Sequence, residues 1–404
     1  MPVVDQGLSS GSNFLAVLVI AGALNTAEFG VFAISFTALT LFVGTTRTYL
    51  GVPLALRAGG DARSMRDGYD QSVSAILVAA VPVFVLVSGA GLVLAGTGMA
   101  LSSVSITAAL AVGVAAPMLM VQDISRYFAI GRGTPGAAIM ADAAWFAGVL
   151  GLFLCRDLVR SEALLAGWVL VIALSMVIQL VRFRPALNLA LGGRLLAPHR
   201  GLRESLTVAV LMATGVTLLM GLLMGPFLGA AAVGAIRGAG TLFGPVNMLM
   251  AVLDLSVLGA LARRPPGTDR RPILAVAGVF MLISALWSTM LLLVPPDLGV
   301  LILGETWTGA RVVLPITSIE YVLLCIASVL SLALKLRSLA RPLFIYRAVA
   351  SVVILATAII ALLLGAGVEW MALALLAGAV VNSTGIAVSA VRAWRSPQIR
   401  PAEA

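Results

Sequence analysis

Three arginines stand inside long apolar runs, where most charged residues of this chain do not: Arg47, Arg237 and Arg347. A charge at the depth of a bilayer core costs roughly 3 kcal/mol or more, so such a residue normally faces a cavity or a partner. Thr37, Thr40, Gly44 and Arg47 share one helical face by three-and-four spacing, and Arg237, Thr241, Gly244, Asn247 and Asp254 do so in the second half of the chain. A polar stripe ending in a planar guanidinium suits a phosphate or pyrophosphate group. The plainer reading of each arginine is structural pairing or snorkelling, and it fits Arg237, nearer a helix end, better than Arg47. Asn13 accompanies Ser9 and Ser12 in the first apolar run, where contact with substrate or with a neighbouring helix would use the same groups. The candidate substrate contacts are therefore Arg47, Arg237, Thr40, Thr241, Asn247 and Asn13.

Asp142, Asp254 and Glu320 are carboxylates within apolar runs and are candidates for a coupling proton or sodium ion, because an isolated carboxylate away from water seeks a proton or a cation. Asp123 and Arg126, three apart, read as a local ion pair at a helix end. Glu28, after Asn25 and Thr26, reads as part of a helix cap. Cys155, Cys325 and His199 stand far apart and form no metal-ligand cluster or disulfide framework, so no metal and no resident cofactor are expected. Neither a long loop nor an extramembrane segment carries the carboxylates or histidine that acid-base catalysis would need. The chain reads as a carrier and not an enzyme.

These residues must be positioned by membrane helices. With 61% hydrophobic and 11% charged residues and a mean hydropathy of +1.09, 404 residues hold more apolar surface than a soluble fold could hide. The apolar runs predict twelve spans. The first six run from Leu8 to Leu24, Val31 to Leu56, Ser72 to Gly96, Val104 to Ile124, Ala137 to Leu154 and Ala163 to Val181. The second six run from Ser205 to Met224, Ala232 to Leu261, Pro272 to Val294, Val312 to Leu334, Leu343 to Leu364 and Trp370 to Val391. Of the 26 basic residues, twenty fall on one side of this arrangement and three, Arg156, Arg160 and Arg311, on the other. That asymmetry predicts a cytoplasmic (inner) membrane protein with both termini in the cytoplasm, and it accounts for the net charge of +9 without a nucleic-acid partner. The first run has no basic residue before it and is expected to be retained as a helix.

The longest loop, Arg182 to Arg203, divides the chain into 1–190 and 191–404, two expected six-helix lobes. LNTAEFGVFA from Leu24 and LGAAAVGAIR from Leu228 hold the same place in each half, and LRAGGDARSMR and LARRPPGTDRR follow as matching basic turns. Such repeats commonly place substrate where the halves meet. The expected fold is all-α and integral to the membrane, with two pseudo-repeated lobes around a central cavity.

The stretches DQGLSSGSNF (Asp5 to Phe14), AEFGVFA (Ala27 to Ala33) and LGETWTGARVVLP (Leu303 to Pro315) resemble polysaccharide flippases of the O-antigen, Wzx-like type in the MOP exporter superfamily. The resemblance implies alternating access that carries a polyprenyl-pyrophosphate-linked oligosaccharide from the cytoplasmic to the outer leaflet. It makes Arg47 and Arg237 lining residues of a central cavity, and it makes a lipid-linked glycan, membrane lipids and glycan polymerase machinery the expected partners. The plainer reading of that last stretch is Trp307 as an interfacial anchor and Pro315 as a first-turn proline. Two alternatives stand beside it: a MATE-type cation-coupled exporter, which would favour an acidic cavity, and a membrane-embedded glycosyltransferase or polymerase, which would need a long acidic loop.

Overall fold

A computed structural model describes residues 2–56, 62–98, 100–196, 202–252, 257, 261, 268–337 and 339–395. The described chain is helical. In order the long helices are α1 (Pro2–Ala23), α2 (Thr26–Thr46), α3 (Ala62–Thr97), α4 (Ser103–Gly131), α5 (Gly136–Cys155), α6 (Ser161–Phe183), α7 (Leu202–Leu228), α8 (Ala230–Leu242), α9 (Arg270–Leu292), α10 (Thr306–Lys335), α11 (Ala340–Leu363) and α12 (Val368–Arg395). Short helices Leu189–Leu195 and Pro296–Leu303 lie between them, and Gly244–Val252 continues α8.

Among the described residues, ten helices are long and apolar enough to cross a membrane, against the twelve expected. The two differences fall at the first and eighth expected spans. In α1 the apolar stretch found among the described residues is Gly11–Ala23, shorter than a full span. The expected eighth span is broken at Phe243 before Gly244 and Pro245, and much of its remainder, including Asp254, lies outside the described residues.

The helices expose apolar side chains on their outer faces, among them Val81, Leu86, Leu154, Leu170 and Leu363, as expected for surfaces solvated by lipid. Contacts divide the chain into two compact units, one of residues 1–237 with 300–306 and one of residues 238–299 with 307–404. In the first unit α4 is central and packs on α2, α3 and α6, while α1 packs on α5 and α2 on α7. In the second, α11 packs on α12, and Ile273, Val329, Leu332, Leu334, Ile386 and Ala390 form a core joining α9, α10 and α12.

Asn25 caps α2 in a reciprocal box: its side chain accepts from the Glu28 N–H at 2.9 Å, and its own N–H donates to Glu28 Oε2 at 3.3 Å. Ser102, the cap of α4, donates to Glu28 Oε1 at 3.0 Å, so one carboxylate ties two helix starts together.

The repeated text has a packing role. Gly30 of α2 and Gly234 of α8, matched positions of the two repeats, lie where these helices cross. A Cβ on Gly30 would come within 2.0 Å of the Ala230 carbonyl oxygen, and one on Gly234 within 2.2 Å of that of Thr26. Only glycine allows backbones so close, and without a hydrophobic drive between helices in lipid such close packing supplies much of the association energy.

A second likeness between the halves is found at helix ends. In the first unit Arg66 of α3 donates from Nη1 to the Phe183 carbonyl at 2.6 Å and from Nη2 to the Arg184 carbonyl. Phe183 and Arg184 close α6, with Arg184 in the left-handed region at φ 46°, and the otherwise unpaired carbonyls there gain a cationic partner. Beneath it Tyr69 of α3 stacks on Phe128 of α4 at 4.2 Å. In the second unit Asp269, at the start of α9, accepts from both Nη atoms of Arg337 after α10 (2.8 and 3.1 Å) and from Trp394 Nε1 of α12 at 3.2 Å. Each unit thus joins the same three helix ends of its half, with opposite charge on the first helix.

Two expectations for the stretch at Leu303 are corrected. Trp307 is buried at 3% exposure against Gly299, where a Cβ would lie 1.9 Å from its ring, so it is a packed core residue and not an interfacial anchor. Pro315 lies well inside α10, because the helix begins at Thr306, a turn and a half before the apolar run that marked it in the sequence.

Replacing Gly30 or Gly234 by Val should cost about 1–3 kcal/mol or more through backbone overlap, seen as a lower melting temperature in detergent. Gly89→Ala on α3, where a Cβ meets nothing within 4 Å, should be neutral or slightly stabilising. Burial raises the Asp269 carboxyl pKa, but hydrogen bonds from Arg337 and Trp394 and the Arg337 charge outweigh it and hold the pKa below its ordinary 3.8. Its stabilisation is therefore full above that ordinary value and lost as pH falls through the lower folded value. Asp269→Asn should lower the melting temperature at neutral pH and flatten the fall seen on acidification below the ordinary carboxyl range.

Candidate functional site

The candidate site is built on α2 and α4 in the first unit. After Thr46, α2 widens into a π-helical turn, Arg47–Gly51, before resuming at Val52–Leu56. Pro53 gives the reason: it has no N–H to donate, and its ring crowds the carbonyl four residues back, so a wider turn relieves the mismatch. The Val52 N–H reaches back to the Arg47 carbonyl across that turn. Gly51 lets Tyr127 of α4 approach, since a Cβ there would lie 3.0 Å from the ring. Arg47 thus sits where the helix changes its winding, against the last third of α4.

The Arg47 guanidinium is bidentate on Asp123 of α4, Nε to Oδ2 and Nη2 to Oδ1, both at 2.9 Å. Asp123 also lies 3.6 Å from Arg126 Nη1. Arg126 donates from Nη2 to both oxygens of Asp142 on α5, at 2.9 and 2.7 Å, and to Ser9 Oγ of α1 at 2.8 Å. Gln122 Nε2 donates to Asp142 Oδ1 at 3.1 Å and to Ser175 Oγ of α6 at 2.8 Å, and Ser175 donates to the Ala141 carbonyl. Two guanidiniums and two carboxylates therefore alternate in one chain that touches α1, α2, α4, α5 and α6.

Burial grades along this chain. Asp142, Asp123 and Arg126 side chains are 0%, 6% and 8% exposed, whereas that of Arg47 is 44% exposed. The inner charges are enclosed, while Arg47 keeps an open face with its remaining donor edge available. Such a group, fixed by a bidentate partner, can present a guanidinium to an anion at the depth of the bilayer without adjusting its own position.

Arg47 and Asp142 are brought into one network, through Asp123 and Arg126. Arg126 is not a loop charge at a helix end: α4 continues to Gly131, and Arg126 is buried within it. The ion pair with Asp123 exists, but the shorter contacts of both residues are to Asp142 and Arg47. Thr40 donates to the Thr37 carbonyl and Asn13 to that of Ser9, each within its own helix. Arg237 closes the first contact unit, while Thr241 and Asn247 belong to the second, where Asn247 donates to the Tyr321 hydroxyl at 3.2 Å. Glu320 on α10 is half-buried and has no hydrogen-bond or ion-pair partner among the described residues. Gln122, Ser175 and the pivotal role of Asp123 were missed. Their signal is the spacing of Gln122, Asp123 and Arg126 on two adjoining faces of one helix, hidden when that helix is ended at Ile124.

Over 95% of its length the chain superposes on 94% of a multidrug resistance MATE family transporter of the MOP superfamily in an inward-facing conformation, at a TM-score of 0.71 and 14% identity. This is the fold of MOP-superfamily transporters. The same MOP fold relates the chain to the lipid II flippase MurJ in an inward closed conformation, with TM-score 0.66, 13% identity and coverage of 96% of this chain and 89% of that one. It also relates it to a eukaryotic MATE transporter, AtDTX14, with TM-score 0.60, 14% identity and coverage of 97% and 95%. No family model and no curated protein sequence matches the chain.

Breaking the buried Arg126–Asp142 pair by Arg126→Ala or Asp142→Ala should destabilise by about 3–5 kcal/mol, because one charge is left uncompensated. The double replacement Arg126→Met with Asp142→Leu should recover most of that loss. Thermal unfolding of the purified variants in detergent measures both, and a double-variant loss equal to the sum of the two single losses would show that the pair is not coupled.

Proposed function

We propose that this chain is a MOP-type flippase that moves a lipid carrying a phosphate or pyrophosphate group, of the polyprenyl-pyrophosphate-linked oligosaccharide kind, from the cytoplasmic to the outer leaflet. The observation that carries the reading is Arg47, a guanidinium fixed within a candidate membrane span with an open face, on a fold that the chain shares with a lipid II flippase. The reaction makes and breaks no bond. The headgroup contacts Arg47 and the polar residues near it while the two halves of the fold alternate access, and the lipid tail stays in the bilayer. Arg237 assists as a second cationic contact. The basic side of the helices, with both termini, faces the cytoplasm of the inner membrane.

A MATE-type exporter is the second reading, and one observation favours it: the network's two arginines are matched by two aspartates, so it carries no net positive charge beyond what Arg47 exposes. In either reading Glu320 is, of the two candidate carboxylates among the described residues, the one better suited to take a coupling proton or sodium ion, because Asp142 already holds a cation.

The two readings separate in proteoliposomes. With a fluorescent polyprenyl-pyrophosphate saccharide, the protein should speed the loss of inner-leaflet label, and Arg47→Ala should reduce the rate at least tenfold at equal folded protein, with Arg47→Lys between. Full flipping by Arg47→Ala overturns the assignment, and uptake of cationic dyes with no lipid flipping favours the exporter.

A further inference from the structure

The second unit contains a cavity of about 270 Å³ that the network of the first unit does not use. One face of α10 lines it with Leu324, Ser328, Ser331 and Lys335; Arg347 enters from α11 and Asn382 from α12. The spacing explains the convergence: 324, 328, 331 and 335 fall on one stripe of α10.

The chemistry of the lining is one-sided. Among the described lining residues two are cations and none is acidic. Arg347 lies two turns inside α11, and neither its guanidinium nor the Asn382 amide has a hydrogen-bond or ion-pair partner among the described residues. Arg347 is exposed on α11 where it lines the cavity, and a guanidinium along an apolar membrane helix without a carboxylate partner is costly unless something anionic meets it. The volume far exceeds the roughly 30 Å³ that one water occupies, and it suits a group the size of a phosphate. Planar donors from Arg347, a point charge from Lys335 and the Asn382 amide together match the several oxygens of a phosphoryl group.

We infer that this cavity between α10, α11 and α12 binds a phosphate-bearing anion, either free phosphate or the headgroup of an anionic phospholipid. The site is built from residues of the second unit alone and does not depend on what the protein transports.

The test uses the purified full-length chain. Calorimetric titration with inorganic phosphate, at constant ionic strength, reads the free ion. Native mass spectrometry after exchange into phosphatidylglycerol or phosphatidylcholine reads the lipid. Either phosphate binding or selective retention of phosphatidylglycerol is expected, and Arg347→Gln should weaken it at least tenfold. Heat from phosphate identifies the free ion as the ligand, whereas retained phosphatidylglycerol without that heat identifies the lipid. Asn382→Leu fills the cavity while leaving both cations in place and should weaken binding as well, which covers the case in which Arg347→Gln does not fold. The inference is overturned if folded wild-type protein does neither, or if binding survives both substitutions unchanged.

Discussion

A charge held inside a bundle of apolar helices has no water to repay the loss of its hydration, so it must be neutralised by neighbours whose positions are fixed. The alternation of Arg47, Asp123, Arg126 and Asp142 is the solution adopted in the first unit. Because each charge is matched on a different helix, the network fixes the rotation of α1, α2, α4, α5 and α6 about one another. It also leaves Arg47 with an open face at the end of the chain of charges, where the helix winding changes. Structure and proposed transport thus draw on the same electrostatic requirement.

Packing supports that network through small residues. The Gly30 and Gly234 crossing brings backbones of α2 and α8 close enough that no side chain can intervene. It falls where the repeated text of the two halves is most alike, which gives the repeat a physical meaning: the same short motif serves both helices of one contact. The clamps at the helix ends repeat a placement and not a sequence. Arg66 closes its set by capping carbonyls and Asp269 closes its set by accepting donors, so similar architecture is reached with inverted charge.

Much of this was legible in the chain. The apolar runs located ten of the described spans, and the capping of α2 could be read from Asn25 and Glu28 alone. Arg47 stood out because an arginine amid apolar residues has few explanations. Its partner did not, because Asp123 lies 76 residues away and near the point where hydropathy fades. Helix ends fared worst: hydropathy follows side chains, whereas α4 and α10 run on past the apolar stretch as long as their backbone hydrogen bonds are made. Trp307 was misplaced for a related reason, since aromatic composition cannot distinguish a ring at an interface from one packed on a glycine.

The sequence by itself determined that the chain is built from membrane helices, which residues carry charge within them, and where its halves repeat, because these follow from hydropathy and spacing along one strand of text. Only the tertiary structure decided which charges meet. Pairing Arg47 with Asp123 and Arg126 with Asp142 depends on how helices rotate against each other, and the cationic cavity of α10 to α12 depends on three faces converging. Neither is a property of any single helix, so neither could be read until the helices were packed.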